Sequence, residues 1–261
     1  MPKTLWALIL GSSSGFGEAT ALELSRLGYN IFGVHLDRRA TLPHVEEVVG
    51  KIRQAGREAV FFNVNGADAQ KRKEVTDRIR EEFQKTPGTV RVLLHSLAFG
   101  TLQPLVGDGA AVTQAQMEMS ADVMGHSLVY WVQDLVHGGL MEEGGRIFAM
   151  TSSGGTRVLP SYGPVSAAKA LLESHIRQLA MELATRGITA NAIRAGVTDT
   201  PSARKIPAFE KLAEAARLHN PHGRLTTPQD VAAAIGVLAQ PNTYWITGGV
   251  IGVDGGEDIV G

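Results

Sequence analysis

Strand-like and helix-like segments alternate along the whole chain, and this alternation restricts the possible folds more than any other feature. Three helical patterns, Phe16–Leu27, Val45–Ala55 and Val165–Arg186, are each followed by glycine, the preferred residue just past a helix end. Alternating strands and helices predict βαβ units and a parallel sheet with helices on both faces. Short runs rich in Val, Ile, Leu or Phe read as the buried strands: Leu5–Leu10, Asn30–Leu36, Ala59–Val64, Val90–His95, Arg146–Met150, Ile188–Arg194 and Val250–Val253.

Length and composition indicate a single domain. A chain of 261 residues that is 44% hydrophobic buries a sizeable core, and no repeat or linker divides it. We therefore predict one α/β domain over residues 1–261, a doubly wound Rossmann-type sheet of about seven strands. The net charge of −1 predicts no nucleic-acid or membrane binding, and the absence of cysteine excludes a thiolate nucleophile. No apolar run reaches the ~20 residues that span a bilayer, so a cytoplasmic location is expected.

A glycine-rich loop follows the first predicted strand. Gly11, Gly15 and Gly17 have the spacing Gly-x3-Gly-x-Gly and stand directly before a helical pattern. Glycine lets the backbone approach a pyrophosphate closely, and the free N–H groups of a helix start bind its charge. A tight turn that only joins strand to helix has a similar composition. The position after the first strand of a βαβ unit nevertheless favours dinucleotide binding.

Tyr162 and Lys169 are the strongest candidates for a catalytic pair. Hydride transfer from a nicotinamide needs a weakly acidic hydroxyl where charge develops on oxygen, and an ammonium group that favours this charge. The commonest form of the pair has its tyrosine four residues before the lysine, but that position is Val165 here. Seven residues make about two helical turns, so Tyr162 can share a face with Lys169. Gly163-Pro164 predicts that the helix begins just after Tyr162.

Over essentially its whole length the chain resembles the short-chain dehydrogenase/reductase family. The Tyr-x6-Lys spacing and the segment His95–Gly100 look like the enoyl-acyl-carrier-protein reductases of bacterial fatty-acid synthesis. The stretch from Tyr162 to Arg224 is most similar to their divergent NADPH-using branch. The family resemblance rests on Gly11, Gly15, Gly17, Asn63-Val64, Ser152, Lys169, Asn191–Thr200 and Val253-Asp254-Gly255-Gly256.

This resemblance implies a role for each matching residue. Tyr162 would hydrogen-bond the thioester oxygen of a trans-2-enoyl substrate, and Lys169 would stabilise the enolate. The apolar residues of the segment 200–220, just beyond the expected cofactor, predict a lid over the acyl pocket, with a plain helix packed on the core as the alternative. The acyl pocket would be lined by Phe99, Val158, Leu159, Tyr162, Ile206 and Phe209. Cofactor contacts are expected from Gly11, Ser13, Gly15, Phe16 and Gly17 at the pyrophosphate, from His35, Arg38, Arg39, Asn63 and Val64 at the adenosine, and from Ser96, Leu97, Lys169, Val197 and Thr200 at the nicotinamide side.

The residues after the second predicted strand favour NADP(H) over NAD(H). The resemblance implies that NAD(H) users carry an aspartate at the position of His35, where it pairs with both ribose hydroxyls. His35 cannot act as an anion, and the nearby Arg38 and Arg39 suit a 2′-phosphate. Asp37, which could reach the ribose, and Ser14, where NADP(H) users often carry a basic residue, argue the other way.

Two alternative functions remain open. Ser152 stands where carbonyl-reducing members keep a catalytic serine, so a ketone or aldehyde reductase is the first; its asparagine position is Met124 here. A catalytically silent nucleotide-binding regulatory protein is the second, because a fold does not fix a function. His219 and His222 lack a third ligand candidate, so no metal site is expected. The resemblance suggests an acyl thioester on acyl-carrier protein or coenzyme A as substrate, and a homotetramer.

Overall fold

A parallel sheet forms the centre of the protein, which we describe from a computed structural model over residues 3–107 and 109–260. Its strands are β1 Thr4–Leu10, β2 Asn30–His35, β3 Ala59–Asn63, β4 Gly88–His95, β5 Arg146–Ser152, β6 Thr189–Ala195 and β7 Val250–Val253. Their order is β3-β2-β1-β4-β5-β6-β7, and all neighbours are parallel. The strand order therefore reverses between β1 and β4, the point at which sheets of this kind bind ligands.

Helices cover both faces of the sheet. They are α1 Gly15–Arg26, α2 Leu42–Gln54, α3 Ala69–Lys85, α4 Gln114–Ala121, α5 Ser127–His137, α6 Gly163–Leu183, α7 Phe209–His219 and α8 Pro228–Leu238. A π-helical turn, Asp122–His126, joins α4 to α5. Residues of α1, α2 and α8 share one buried apolar cluster with the sheet, while residues of α3, α5 and α6 share another. The predicted single-domain Rossmann-type fold is confirmed.

The sequence patterns located most element ends to within about two residues, the usual uncertainty of such boundaries. Gly28, Gly56 and Gly187 follow helix ends with φ values of +100°, +72° and +65°, the left-handed conformation expected of a C-terminal glycine. Two helix ends differ by three residues, since α2 begins at Leu42 rather than Val45 and α6 ends at Leu183 rather than Arg186. Strand β5 continues past Met150, because Thr151 and Ser152 pair with β6. This extension places Ser152 at the carboxyl edge of the sheet.

The predicted domain of residues 1–261 also includes Met1, Pro2, Asp108 and Gly261, which lie outside the described residues. Within the described residues, no helix has the length and apolarity needed to cross a bilayer.

Candidate active site

A cavity of about 550 Å³ opens at the carboxyl edge of the sheet. Its wall includes residues that follow β4 (Ser96–Gly100), the end of β5 (Thr151–Ser153) and residues that follow β6 (Gly196–Thr198). Phe16 at the start of α1 also reaches it. Parallel strands end together at this edge, so residues far apart in sequence meet there, as the topological switch predicts.

The glycine loop between β1 and α1 has no room for a side chain at Gly11 or Gly17. Gly11 has a φ of +88°, and a Cβ on it would lie 2.5 Å from the Ser96 carbonyl oxygen. A Cβ on Gly17 would overlap the Gly11 carbonyl oxygen. The Ser14 side chain does not cap α1, so the first N–H groups of the helix remain available to a ligand. The loop therefore fits the phosphates of a dinucleotide.

Tyr162 stands at the N-terminal cap of α6, as the Gly163-Pro164 pair predicts. Its side chain is buried, and its ring packs over Gly154, where a Cβ would lie 2.5 Å from the ring atom Cε1. Ser161, directly before it, has a φ of +59°, a conformation that is rare for serine. Burial raises the pKa of Tyr162, and the Ser152 hydroxyl opposes part of that rise. Its phenol is therefore protonated at neutral pH.

Lys169 reaches the same cavity from the second turn of α6. Its side chain is buried, and Nζ donates a hydrogen bond to the Met150 carbonyl oxygen at 2.6 Å. Burial lowers the pKa of Lys169 to about 8, while the Glu173 carboxylate opposes this shift. Glu173 is itself held by a hydrogen bond of 2.6 Å from the Thr151 hydroxyl. The two side chains predicted to act together thus share one cavity.

Ser152 and Met124 complete the surroundings of Tyr162. Ser152 lines the cavity, and its hydroxyl accepts a hydrogen bond of 3.1 Å from the Gly154 N–H. Met124 lies in the π-helical turn between α4 and α5 and is also buried in the cavity wall. A thioether is a weak acceptor and has no proton to donate, so Met124 cannot replace an asparagine amide.

The β2 end, where the adenosine is expected, is a hydrogen-bonded cluster. His35 Nδ1 lies 3.0 Å from Asp37 Oδ2, and the Thr41 hydroxyl donates to Asp37 Oδ1 at 2.7 Å. Burial lowers the pKa of His35, although Asp37 opposes the shift. Burial also raises the pKa of Asp37, but hydrogen bonds from Ser13, Thr41 and His35 outweigh it, so the pKa lies below its usual value. His35 is therefore neutral and Asp37 ionised at neutral pH.

Asn63 fixes the loop that carries the two arginines. Its side chain exchanges two hydrogen bonds with the Asp37 backbone, at 2.9 and 3.0 Å. Arg38 and Arg39 follow directly and are exposed. Neither forms an ion pair with the described residues. Two guanidinium groups thus remain available at this end of the site.

Residues 200–220 form one wall of the cavity. They contain a 3-10 turn, Ala203–Lys205, and α7, which begins after Ala208 with its φ of +57°. Phe209, Ala213 and Ala216 are buried along one face of α7, while Leu218 is 80% exposed. The segment therefore covers one side of the cavity, and its role as a lid stays a prediction.

Many residues predicted for the site line the cavity, whereas Val158 does not. Val158 is 97% exposed, because the loop before Tyr162 turns its side chain outward. The adenosine-side residues Val64 and Asn63 lie apart from the cavity, as do His35, Arg38 and Arg39 at the end of β2. The predicted residues that line it are Phe16, Ser96, Leu97, Phe99, Ser152, Leu159, Tyr162, Lys169, Val197, Thr200, Ile206 and Phe209.

Sequence reasoning missed Glu257. Its carboxylate lines the cavity, and both of its oxygens lie 3.1 Å from the Val197 nitrogen. Asp254-Gly255-Gly256 indicates a turn but gives no sign of which residues the following segment contacts. The Val197 N–H, expected at the nicotinamide side, is thus already donated to a side chain of the protein.

Comparisons with known proteins agree with this geometry. A family sequence model described as enoyl-(acyl carrier protein) reductase matches residues 11–257. The chain is 30% identical over 258 residues to the enoyl-(acyl-carrier-protein) reductase (NADH) FabI of a Nostoc strain, covering 98% of this chain and 96% of that protein. It is 28% identical to an NADPH-dependent aldehyde reductase-like chloroplastic protein of Arabidopsis thaliana, covering 96% and 93%. An enoyl-(acyl-carrier-protein) reductase (NADH) structure from Aquifex aeolicus matches with a TM-score of 0.86 at 26% identity, covering 99% and 98%.

Proposed function

Because the chain belongs to the short-chain dehydrogenase/reductase family and is an NAD(P)H-dependent oxidoreductase of the enoyl-(acyl carrier protein) reductase type, we propose that it reduces the C2=C3 double bond of trans-2-enoyl thioesters. The observation that carries this proposal is that Tyr162 and Lys169 line one cavity. Val165, which occupies the commoner tyrosine position, is buried in the wall of the same cavity. A single phenol, seven residues before the lysine in sequence, suits a substrate whose oxygen is not itself the site of reduction.

The chemistry assigns one task to each side chain. A nicotinamide cofactor held by the glycine loop and Lys169 would supply a hydride to the substrate β-carbon, and the substrate would become an enolate with its charge on the thioester oxygen. Tyr162 donates a hydrogen bond to that oxygen, and its raised pKa keeps the phenol protonated. Lys169 holds a positive charge close to the same atom and would bind the ribose hydroxyls. The α-carbon then takes up a proton, which completes the reduction.

The wall around this pair suits an acyl chain. Met124, Val165, Leu159, Ile206 and Phe209 all line the cavity. Burying an apolar chain against them is favourable by about 0.8 kcal/mol per CH₂ group. We extend the proposal to residues 200–220, which would act as a lid that opens for the substrate.

For the cofactor we propose a preference for NADP(H). The exposed guanidinium groups of Arg38 and Arg39 can pair with a 2′-phosphate. The ionised Asp37 opposes this preference, but its two oxygens are held by His35 and Thr41. Steady-state kinetics tests the assignment: kcat/KM should be higher with NADPH, and Arg38→Ala with Arg39→Ala should remove the difference. A clear preference for NADH that survives both substitutions would reverse it.

The reaction itself is tested by comparing two substrates with both cofactors. Crotonyl thioester should be reduced faster than acetoacetyl thioester, each supplied on coenzyme A and on acyl-carrier protein. Faster reduction of acetoacetyl thioester would support the carbonyl-reductase alternative, in which Ser152 and Tyr162 share the substrate oxygen. Ser152 gives that alternative its structural basis, since it lines the cavity beside Tyr162.

We further propose that the protein assembles as a homotetramer. The edge strand β7 and the segment before it expose an apolar surface, in which Trp245 is 86% and Tyr244 60% exposed. Val250 on the strand and Met181 on α6 are also exposed. Open sheet edges and apolar patches of this kind are typical of contacts between subunits. Light scattering in solution should give four times the mass of one chain.

A further inference from the structure

The segment after β7 turns back toward the cavity. Gly255 and Gly256 have φ values of +64° and +85°, and the Gly256 N–H donates to Asp254 Oδ1 at 2.9 Å. Asn220, at the end of α7, donates a hydrogen bond of 2.8 Å to the Asp254 carbonyl oxygen. The chain then forms a 3-10 turn, Glu257–Ile259, which we call the C-terminal turn. This turn lies between the end of the lid segment and the cavity.

Asp258 anchors the C-terminal turn to two neighbouring segments. Its carboxylate lies 3.0 Å from Arg157 in the loop before Tyr162 and 2.9 Å from Arg194 on β6. Arg157 also donates to the Asp258 carbonyl oxygen at 2.8 Å. These three contacts of Asp258 restrict how far the C-terminal turn can move. The backbone of the preceding residue, Glu257, is therefore held in place.

From this position the Glu257 side chain binds the backbone that follows β6. Both carboxylate oxygens lie 3.1 Å from the Val197 nitrogen. A Cβ on Gly196 would overlap Thr226 Oγ1 and lie 2.9 Å from Glu257 Oε2, so a side chain there would displace Glu257 or Thr226. The held backbone begins the segment Gly196–Thr200, in which the Thr200 hydroxyl accepts a hydrogen bond from the Ala203 N–H at 3.1 Å. One side chain thus fixes the start of the turn that faces the nicotinamide side.

The Glu257 carboxylate lies in surroundings that disfavour its negative charge. Burial raises the pKa of Glu257, with Val197 opposing and Asp254 adding to the rise. Among the described residues that line the cavity, Glu257 is the one carboxylic acid. A titratable group whose charge is disfavoured in a cleft is a candidate for a functional role.

We propose that Glu257 is a positioning residue, which fixes the segment Gly196–Thr200 for cofactor binding by accepting the Val197 N–H. The inference rests on the proposed function, because that function places the cofactor against Val197 and Thr200. The acceptor oxygen does the positioning, and the charge is incidental. A side chain with an oxygen at the same place can therefore substitute for the carboxylate.

Direct cofactor titration with the full chain, without acyl substrate, tests this proposal. Glu257→Ala should weaken binding of NADPH or NADH, whichever binds more tightly, about tenfold, the scale of one uncharged hydrogen bond. Glu257→Gln should stay within about twofold, because its amide oxygen can accept the same N–H. In turnover, Glu257→Ala should raise the cofactor KM and leave kcat nearly unchanged. The exposed Glu46 on α2 provides the matched control, and Glu46→Ala should bind cofactor normally.

Three results would overturn the proposal. Unchanged or tighter cofactor binding in Glu257→Ala would show that the contact does not position the segment. Equal weakening in Glu257→Ala and Glu257→Gln would assign the effect to the charge. A lower melting temperature with parallel losses in kcat and binding would make the role merely structural. Failure to reduce enoyl thioesters with cofactor binding intact would instead count against the proposed function alone.

Discussion

The two sides of the cavity are built differently. On one side, Tyr162 at the N-terminal cap of α6 and Lys169 on its second turn are both buried, and the inner face of α6 joins the main apolar core through Leu172 and Ile176. On the other side, residues 200–220 combine short turns with α7, and Leu218 at the end of α7 is mostly exposed. The reacting groups thus lie on a strongly packed helix, and the covering wall lies on a weakly packed one.

This difference separates two requirements of the reaction. Stabilising charge on a substrate oxygen needs donors whose positions do not change, since displacement by about 1 Å can cost a hundredfold in rate. Admitting and releasing a long acyl chain needs a wall that opens, and such walls come from segments of low local stability. We expect substitutions at α6 to change turnover and substitutions in residues 200–220 to change substrate access.

The largest loss of turnover should come from Tyr162→Phe, on the side of the cavity formed by α6. Loss of one donor to a developing oxyanion costs about two to three orders of magnitude in kcat. The fold should persist, because the ring stays packed over Gly154. Steady-state turnover of crotonyl thioester measures the loss, with Ser152→Ala for comparison. Near-normal turnover in Tyr162→Phe together with loss of activity in Ser152→Ala would refute the enoyl mechanism.

A neighbouring pair of glycines offers a smaller perturbation with a matched control. A Cβ on Gly154 would lie 2.5 Å from the Tyr162 ring, whereas one on Gly155 meets Glu173 and Lys169 at an ordinary 3.4 Å. Gly154→Ala should therefore displace the phenol and lower kcat by about ten- to a hundredfold. Gly155→Ala should keep most activity. Equal effects of the two substitutions would mean that the Tyr162 position does not limit turnover.

The buried lysine should produce an alkaline limb in the pH profile. Lys169 has a pKa of about 8, and the raised pKa of Tyr162 keeps that group from titrating in the same range. Activity that needs the ammonium should fall about tenfold per pH unit above this value. The unfolded chain binds more protons between pH 8 and Lys169's ordinary pKa of 10.5, so this group makes the protein more stable as pH rises through that window. Unchanged kcat/KM up to pH 10 would contradict the assignment.

The smallest expected signal concerns the covering wall. Hydrogen exchange across residues 200–219 should slow several-fold when cofactor and an acyl ligand bind, while α6 changes little. The comparison is internal, since both segments are observed in one experiment. Equal exchange with and without ligands would leave residues 200–220 as a fixed wall and remove the basis for a lid.

Local sequence patterns predicted the fold well, and they singled out two residues, Tyr162 and Lys169, that line one cavity. Buried strands and glycine-terminated helices depend on residues adjacent in sequence. Most of their ends could therefore be located from the local order of apolar residues and glycines. The start of α6 directly after Tyr162 followed from Gly163-Pro164. The family membership predicted from these motifs is likewise confirmed.

Contacts between distant segments could not be predicted in the same way. Glu257 meets Val197 across 60 positions, and nothing near either residue indicates the pair. The π-helical turn around Met124 has no signal in composition. Val158, predicted to line the acyl pocket, is 97% exposed, because the direction of a loop side chain depends on the backbone path. Such features depend on tertiary structure rather than on local preference.

The packing of the glycine loop also determines where this sequence can evolve. A Cβ added to Gly17 would meet the Gly11 carbonyl oxygen, and one added to Gly11 would meet the Ser96 carbonyl oxygen. Because both obstacles are backbone atoms, no side-chain change elsewhere can make room for a substitution. The exposed Arg38 and Arg39 have no such restriction. Under the cofactor preference proposed above, descendants of this sequence, natural or selected in the laboratory, would exchange one dinucleotide for another at the arginines while Gly11 and Gly17 stay invariant. A library aimed at cofactor choice should therefore randomise those two positions and leave every loop glycine unchanged.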